Sequence, residues 1–249
     1  MPGVGLRQRG MVPRRPVHPD PTHPLAAGLV FCLFSGNEQG RTGGSNVGWG
    51  MSAWGRSTAT SDSASAFAVP IKRRWSSMSD WTMHTVVRVT AVDLGWASLF
   101  EVPHNPTSGS WSSPFHAFLI SQSSADPFPG VATNDGASTY RGLQLGSGNY
   151  VLKDGLPHSY TASWGTRGAV WWRDGARFAT SASTPAGSSA LNPAVASGPE
   201  VVFGGRSAGT PGEGYRGDGV AQALWSRPLS DTEVAMAHAD LMEMFRDGR

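Results

Sequence analysis

Glu200-Val201-Val202-Phe203-Gly204, then Gly219-Val220-Ala221-Gln222-Ala223-Leu224-Trp225, then Ser230-Asp231-Thr232-Glu233 is the series of residues that decides the fold. The first two runs are rich in β-branched and aromatic residues and bounded by glycine, so each predicts a strand. Residues 205–218 between them are so rich in glycine that they are expected to form a loop. Ser230 and Glu233 have the spacing of a capping box: the serine hydroxyl accepts from the Glu233 amide while the glutamate reaches back to the Ser230 amide. A helix therefore starts after Ser230. Val234, Ala237, Leu241 and Phe245 recur at helical spacing, with Asp240, Glu243 and Arg246 off the stripe, so that helix lays one apolar side on a surface.

Working upstream, Arg173-Asp174-Gly175-Ala176 between two apolar runs is a hairpin signal, because Asp-Gly supplies the positive φ angles of a type I′ turn. Asp80 to Ala91 alternates most clearly, with Trp81, Met83, Thr85, Val87 and Val89 on the expected dry face and Thr82, His84, Val86, Arg88 and Thr90 on the other. Further strands are expected at 65–71, 95–102, 115–122, 140–145, 150–152 and 158–164. Turn residues separate them at the rhythm of an all-β sandwich. The apolar run that begins at Leu25 opens the sheet. Residues 35–62 read as a long loop with room for one strand, and 182–197 as a surface loop. Residues 1–24 carry six prolines, which favour extended backbone, and form an arm ahead of one domain spanning 25–249. Its Arg7, Arg9, Arg14 and Arg15 are candidates for anchoring to a neighbouring subunit; the alternative is a free tail.

Composition narrows the classes. A net charge of +2 is too small to point to nucleic acid, and ten Trp with ten Phe supply a core despite 32 Gly and 18 Pro. Cys32, the sole cysteine, reads as a small buried hydrophobe, so neither an intrachain disulfide nor a cysteine-based zinc site can form. The first 24 residues lack the apolar stretch of a signal peptide, and no window approaches a membrane span, so a soluble protein without membrane insertion is expected.

The order Tyr215-Arg-Gly-Asp-Gly-Val-Ala-Gln-Ala-Leu-Trp-Ser-Arg-Pro-Leu-Ser-Asp-Thr-Glu-Val234 resembles the closing segment of laminin-G-like, concanavalin A-like domains of the kind found in phage structural proteins. His23-Pro24-Leu25-Ala26-Ala27-Gly28-Leu29-Val30-Phe31 resembles that family's first strand. The His158 to Trp164 run, followed by the Asp-Gly hairpin, resembles its middle strands. The resemblance implies an all-β jelly-roll β-sandwich and a non-catalytic virion component, either a capsid decoration or a tail-associated protein; the alternatives are a free carbohydrate-binding module or lectin and a glycan-degrading hydrolase, the latter disfavoured for want of a strand with paired carboxylates. Other virion proteins, further copies of the chain and host surface glycans would be its partners. The chain departs from the family at Gly219 to Gln222, where an acidic pair is usual and none is present.

The sequence offers little for catalysis. Gly205-Arg-Ser-Ala-Gly209 matches a nucleophile elbow but lacks the helix that must follow, and Gly212 to Gly217 matches a dinucleotide fingerprint with the same defect. A glycosidase needs two carboxylates across the scissile bond. Glu101, Glu200 and Glu213 stand isolated along the chain, so no catalytic residue is assigned. No histidine pair has metal-ligand spacing, and no cofactor is expected. A Ca2+ ion held by loop carboxylates and carbonyls would leave little trace in sequence. Asp135, Asp154, Asp174 and Asp218 each precede glycine, which turn formation explains for most of them. For glycans the candidates are Trp111, in a serine-rich loop, and Trp172. Trp171 and Trp172 must face opposite sides of their strand, leaving one for the core and the other for solvent or the second sheet.

Overall fold

The computed structural model describes residues 19–34, 41–43, 47–52, 55–60, 66–70, 80–92, 96–104, 115–121, 128–134, 140–144, 153–165, 168–181, 200–203 and 215–245. The elements are β1 (Leu29–Phe34), β2 (Arg41–Gly43), β3 (Val47–Ser52), β4 (Gly55–Thr60), β5 (Ala66–Pro70), β6 (Trp81–Val92), β7 (Trp96–His104), β8 (Phe115–Ser121), β9 (Phe128–Asn134), β10 (Tyr140–Gln144), β11 (Pro157–Gly165), β12 (Gly168–Arg173), β13 (Ala176–Ser181), β14 (Glu200–Phe203) and β15 (Tyr215–Trp225), followed by helix α1 (Asp231–Asp240). One sheet runs β13-β12-β11-β6-β15-β4-β3, with β1 also on β15; the second runs β10-β9-β8-β7-β14-β5-β2. Every pairing is antiparallel, giving an all-β jelly-roll sandwich with a short C-terminal helix.

The inner face of the first sheet carries Trp81, Met83, Thr85, Val87 and Val89 of β6, as the alternation predicts, and register sets Trp164 of β11 against Trp81 and Gln222 of β15 against Thr85. Gln222 Nε2 crosses to the second sheet and donates to the Leu99 carbonyl at 3.0 Å. The outer face is buried too. Leu25, Trp172, Ala221, Ala223, Trp225, Leu229, Val234, Ala237, Leu241 and Met244 form one core cluster, so the helix roofs the sheet. The stripe Val234, Ala237 and Leu241 does this, and a 3-10 turn over Leu241–Met244 prolongs it.

The roof is fastened by capping and by Arg227. Ser230 and Glu233 make the expected capping box. Arg227 Nη2 and Nη1 grip the two Glu233 oxygens at 2.6 and 3.1 Å, while its Nε donates to the Ala27 carbonyl (2.7 Å) and Nη2 to that of Pro24 (2.9 Å). Trp225 Nε1 donates to the Leu25 carbonyl at 2.7 Å, and the Asp20 amide to the Met244 carbonyl at 2.8 Å. The segment from Asp20 to Gly28 is therefore clamped to the end of the chain.

Several expectations are corrected. Residues 24–26 are a 3-10 turn rather than strand, because Pro24 sits at its start and His23 Nδ1 caps the Leu25 amide. Gly28, at φ 72°, then turns the chain into β1. Residues 35–62 hold three short strands, β2 to β4, at sheet margins where glycine is tolerated. The 128–134 strand was not expected. The last strand starts at Tyr215, four residues before its expected start: Gly217 is no loop glycine but the point where β15 meets β6, and a Cβ there would lie 1.7 Å from the Arg88 carbonyl oxygen. Asp218 is accordingly a strand residue, not a turn residue, and supplies an acid to the last strand. Arg7, Arg9, Arg14, Arg15 and the expected elements at 150–152 and 182–197 lie outside the described residues.

Arg227→Ala removes a two-pronged ion pair and contacts to the carbonyls of Pro24, Ala27 and Pro228, and we expect it to lower unfolding stability by about 2–4 kcal/mol in urea titration. Arg227→Lys, lacking the planar fork, should recover less than half of that loss.

Candidate functional site

The densest cluster of perturbed ionisable groups in the described residues lies where β11 begins. Asp154 starts a turn: its Oδ1 accepts from the Leu156 amide at 2.8 Å, and Gly155 has φ 72°. Asp174 and Gly175, at φ 51° and 78°, form the β12–β13 tip, as the Asp-Gly signal predicts. His158 lies between the two, with Nδ1 2.7 Å from Asp174 Oδ2 and Nε2 3.1 Å from Asp154 Oδ2. A carboxylate only accepts, so an imidazole that faces one with each nitrogen is held as the imidazolium. Bonding to Asp174 raises its pKa first, against burial, with Asp154 adding to the effect. Burial works to raise Asp174, but the His158 bond and the Ser159 amide, at 3.0 Å from Oδ1, hold it below the usual range.

On the other side of β11, Ser159 Oγ lies 2.9 Å from His238 Nδ1 of α1. His238 is lowered by burial, with His158 contributing repulsion. Deeper in, His84 is fully enclosed: its Nδ1 meets Thr161 Oγ1 at 2.8 Å, and burial lowers its pKa to about 3. Ser159, His238 and Asp174 bring together the residue types of a hydrolase triad but not its wiring. Ser159 is buried, and Asp174 spends its oxygens on His158 and the Ser159 amide rather than on the histidine that meets the serine. Among the described residues no group of three or more His, Cys, Asp or Glu side chains could hold a metal ion. The cluster ties hairpin, turn and helix together.

Trp172 is not the open plate that sugar stacking requires. It is 2% exposed, its Nε1 donates to Asp231 Oδ1 at 2.7 Å, and the Arg177 guanidinium sits 5.7 Å above its ring. Trp171 and Trp172 do face opposite sides, but α1 covers the side the sequence left open. Trp81, Trp164 and Trp225 are equally buried. The remaining tryptophans, Trp49, Trp54, Trp75, Trp96 and the candidate Trp111, have side chains that lie outside those described. Glu101 and Glu200, isolated in sequence, come onto neighbouring strands: β14 pairs Val202 with Glu101 and Glu200 with His104. Only cross-strand register brings them together, and no local motif announces it.

Neither a protein-family model nor a curated protein matches the chain. Solved structures do. Domain 4 of AbnA, a GH43 extracellular arabinanase from Geobacillus stearothermophilus, in complex with arabinotriose, is similar over 86% of this chain and 99% of that one, at 11% identity and TM-score 0.60. Trypanosoma rangeli sialidase in complex with sialic acid is similar over 88% of this chain and 34% of that one, at 12% identity and TM-score 0.52. The chain thus spans about a third of the sialidase. At such identities the likeness is one of fold alone, that of a β-sandwich.

Buried histidines give the fold an acid limit. A histidine whose folded pKa lies below its ordinary value is neutral in the fold, so the unfolded chain takes up more protons as pH falls through about 6.5. His84 alone should lower stability by about 2 kcal/mol between pH 6.5 and pH 5. His84→Gln should flatten the slope of stability against pH by that amount in urea titrations across this window.

Proposed function

We propose that the chain is a non-catalytic glycan-recognition sandwich whose ligand meets aromatic side chains away from helix α1 and the strands it covers. The observation that supports this most is the similarity of 86% of the chain to a whole domain in complex with arabinotriose. The physical argument agrees with it. A pyranose or furanose ring needs a flat apolar plate with polar groups at its margin. The described tryptophans are all committed to the core, so the plate comes from the remaining five. Trp111, between serines, is our first choice.

A second reading, a phage virion component, rests on the order of residues 215–234 and on the His23 to Phe31 opening. Under it the sandwich is a capsid decoration or tail-associated subunit, repeated as a homo-oligomer and directed at host surface glycans. Arg7, Arg9, Arg14 and Arg15 anchor the arm to other virion proteins. Both readings share the glycan-binding step.

A glycan array probed with the full chain should give carbohydrate-dependent signal. Alanine at Trp111, or at Trp49, Trp54, Trp75 or Trp96 in parallel, should weaken it at least tenfold without changing thermal stability by more than about 1 kcal/mol. Unchanged binding in all five variants would contradict the assignment. Incubation with the bound polysaccharide should release no reducing ends. Release that disappears in Glu101→Gln or Glu200→Gln would instead make the chain a hydrolase.

A further inference from the structure

We propose that His158 is a pH-operated clasp: as imidazolium it ties the Lys153–Leu156 turn to the β12–β13 tip, and on losing a proton it lets the turn go. The geometry is what carries this. Nδ1 faces Asp174 at 2.7 Å and Nε2 faces Asp154 at 3.1 and 3.2 Å, so two donors meet two carboxylates. Neutral imidazole has one N–H and can serve only one of them; the other would meet a lone pair.

The two contacts are unequal, which fixes the one that opens. Asp174 has the shorter bond, and its other oxygen is held by the Ser159 amide. The Asp174 amide in turn donates to the Ser159 carbonyl at 2.9 Å. Asp154 is on an exposed turn, and its Oδ1 otherwise accepts from the amide of Leu156 within the same turn. Asp154 therefore releases.

Charged groups around the clasp come from three elements. The turn brings Asp154 and the exposed Lys153, and the hairpin brings Asp174 and Arg173, whose guanidinium lies 5.9 Å over the Phe178 ring. Helix α1 brings His238, which repels a charged His158 only when itself protonated. From β6 comes the Val89 carbonyl, which accepts from the Gly155 amide at 3.3 Å and is a second tie on the turn. The Tyr160 ring, 6.2 Å away, adds no charge at neutral pH.

The sign follows. A histidine raised by its partners contributes stability that is complete below its ordinary value and lost as pH rises through the raised one. Asp154 and Asp174 stay ionised throughout, being lowered. The clasp is closed in mild acid and opens toward alkaline pH, and what it frees is Leu156, an apolar side chain already 59% exposed.

Amide hydrogen exchange of the full chain, corrected for intrinsic rates, tests this between about pH 6 and pH 9. Protection at Gly155 and Leu156 should fall about tenfold as His158 loses its proton, the loss expected for one charge-assisted hydrogen bond. The step should vanish in His158→Gln. It should also vanish in Asp154→Asn, whose amide oxygen can still accept from Leu156 and which, on an exposed turn, leaves the fold intact. A wild-type profile without a step, or a step of wild-type size surviving in Asp154→Asn, overturns the clasp.

Discussion

The Arg227 guanidinium joins the two ends of the described chain. It takes the carbonyls of Pro24 and Ala27 on one side and the carboxylate of the helix cap residue Glu233 on the other. The ion pair holds Glu233 at a pKa of about 2, chiefly through the Arg227 bonds and then the Ser230 contacts, so the cap stays charged across the physiological range. With the cap fixed, α1 is aimed across β15 and β12, and its stripe closes over Trp172 and Trp225. A sheet that would otherwise have one wet face becomes a layer buried on both sides.

That double cover is why the local rules were legible and their placement was not. The capping box, the Asp-Gly hairpin and the β6 alternation are set by neighbours within a few residues, and each appears as the sequence indicates. Whether Trp172 sees solvent depends on a helix about sixty residues downstream; strand parity alone could not reveal it. Gly217 and Asp218 were hidden for a related reason. Glycine in sequence signals freedom, whereas here it permits β15 to approach the Arg88 carbonyl, with Asp218 pairing to the Arg88 side chain at 2.6 Å. The juxtaposition of Glu101 and Glu200 is a matter of strand order, which no period in the sequence encodes.

The polar residues beneath the helix follow from the same cover. Thr82 with Ser163, His84 Nδ1 with Thr161, and Ser159 with His238 pair across β6, β11 and α1, so these buried polar side chains find partners within their own layer. Such pairs specify how the helix seats, at the cost of sensitivity to protonation. His84 and His238 favour the neutral side of their titration, His158 the charged side. The layer is thus best satisfied in the interval between them.

Under the proposed function, the strands beneath α1 are scaffold and glycan contact lies elsewhere on the sandwich. Hydrogen-exchange mass spectrometry of the full chain, with and without a bound oligosaccharide, tests it directly. Ligand-dependent protection in peptides carrying Trp49, Trp54, Trp75, Trp96 or Trp111, with none in β11 to β13 or α1, is the predicted result. Protection confined to α1 and the β12–β13 hairpin around Trp172 would contradict it.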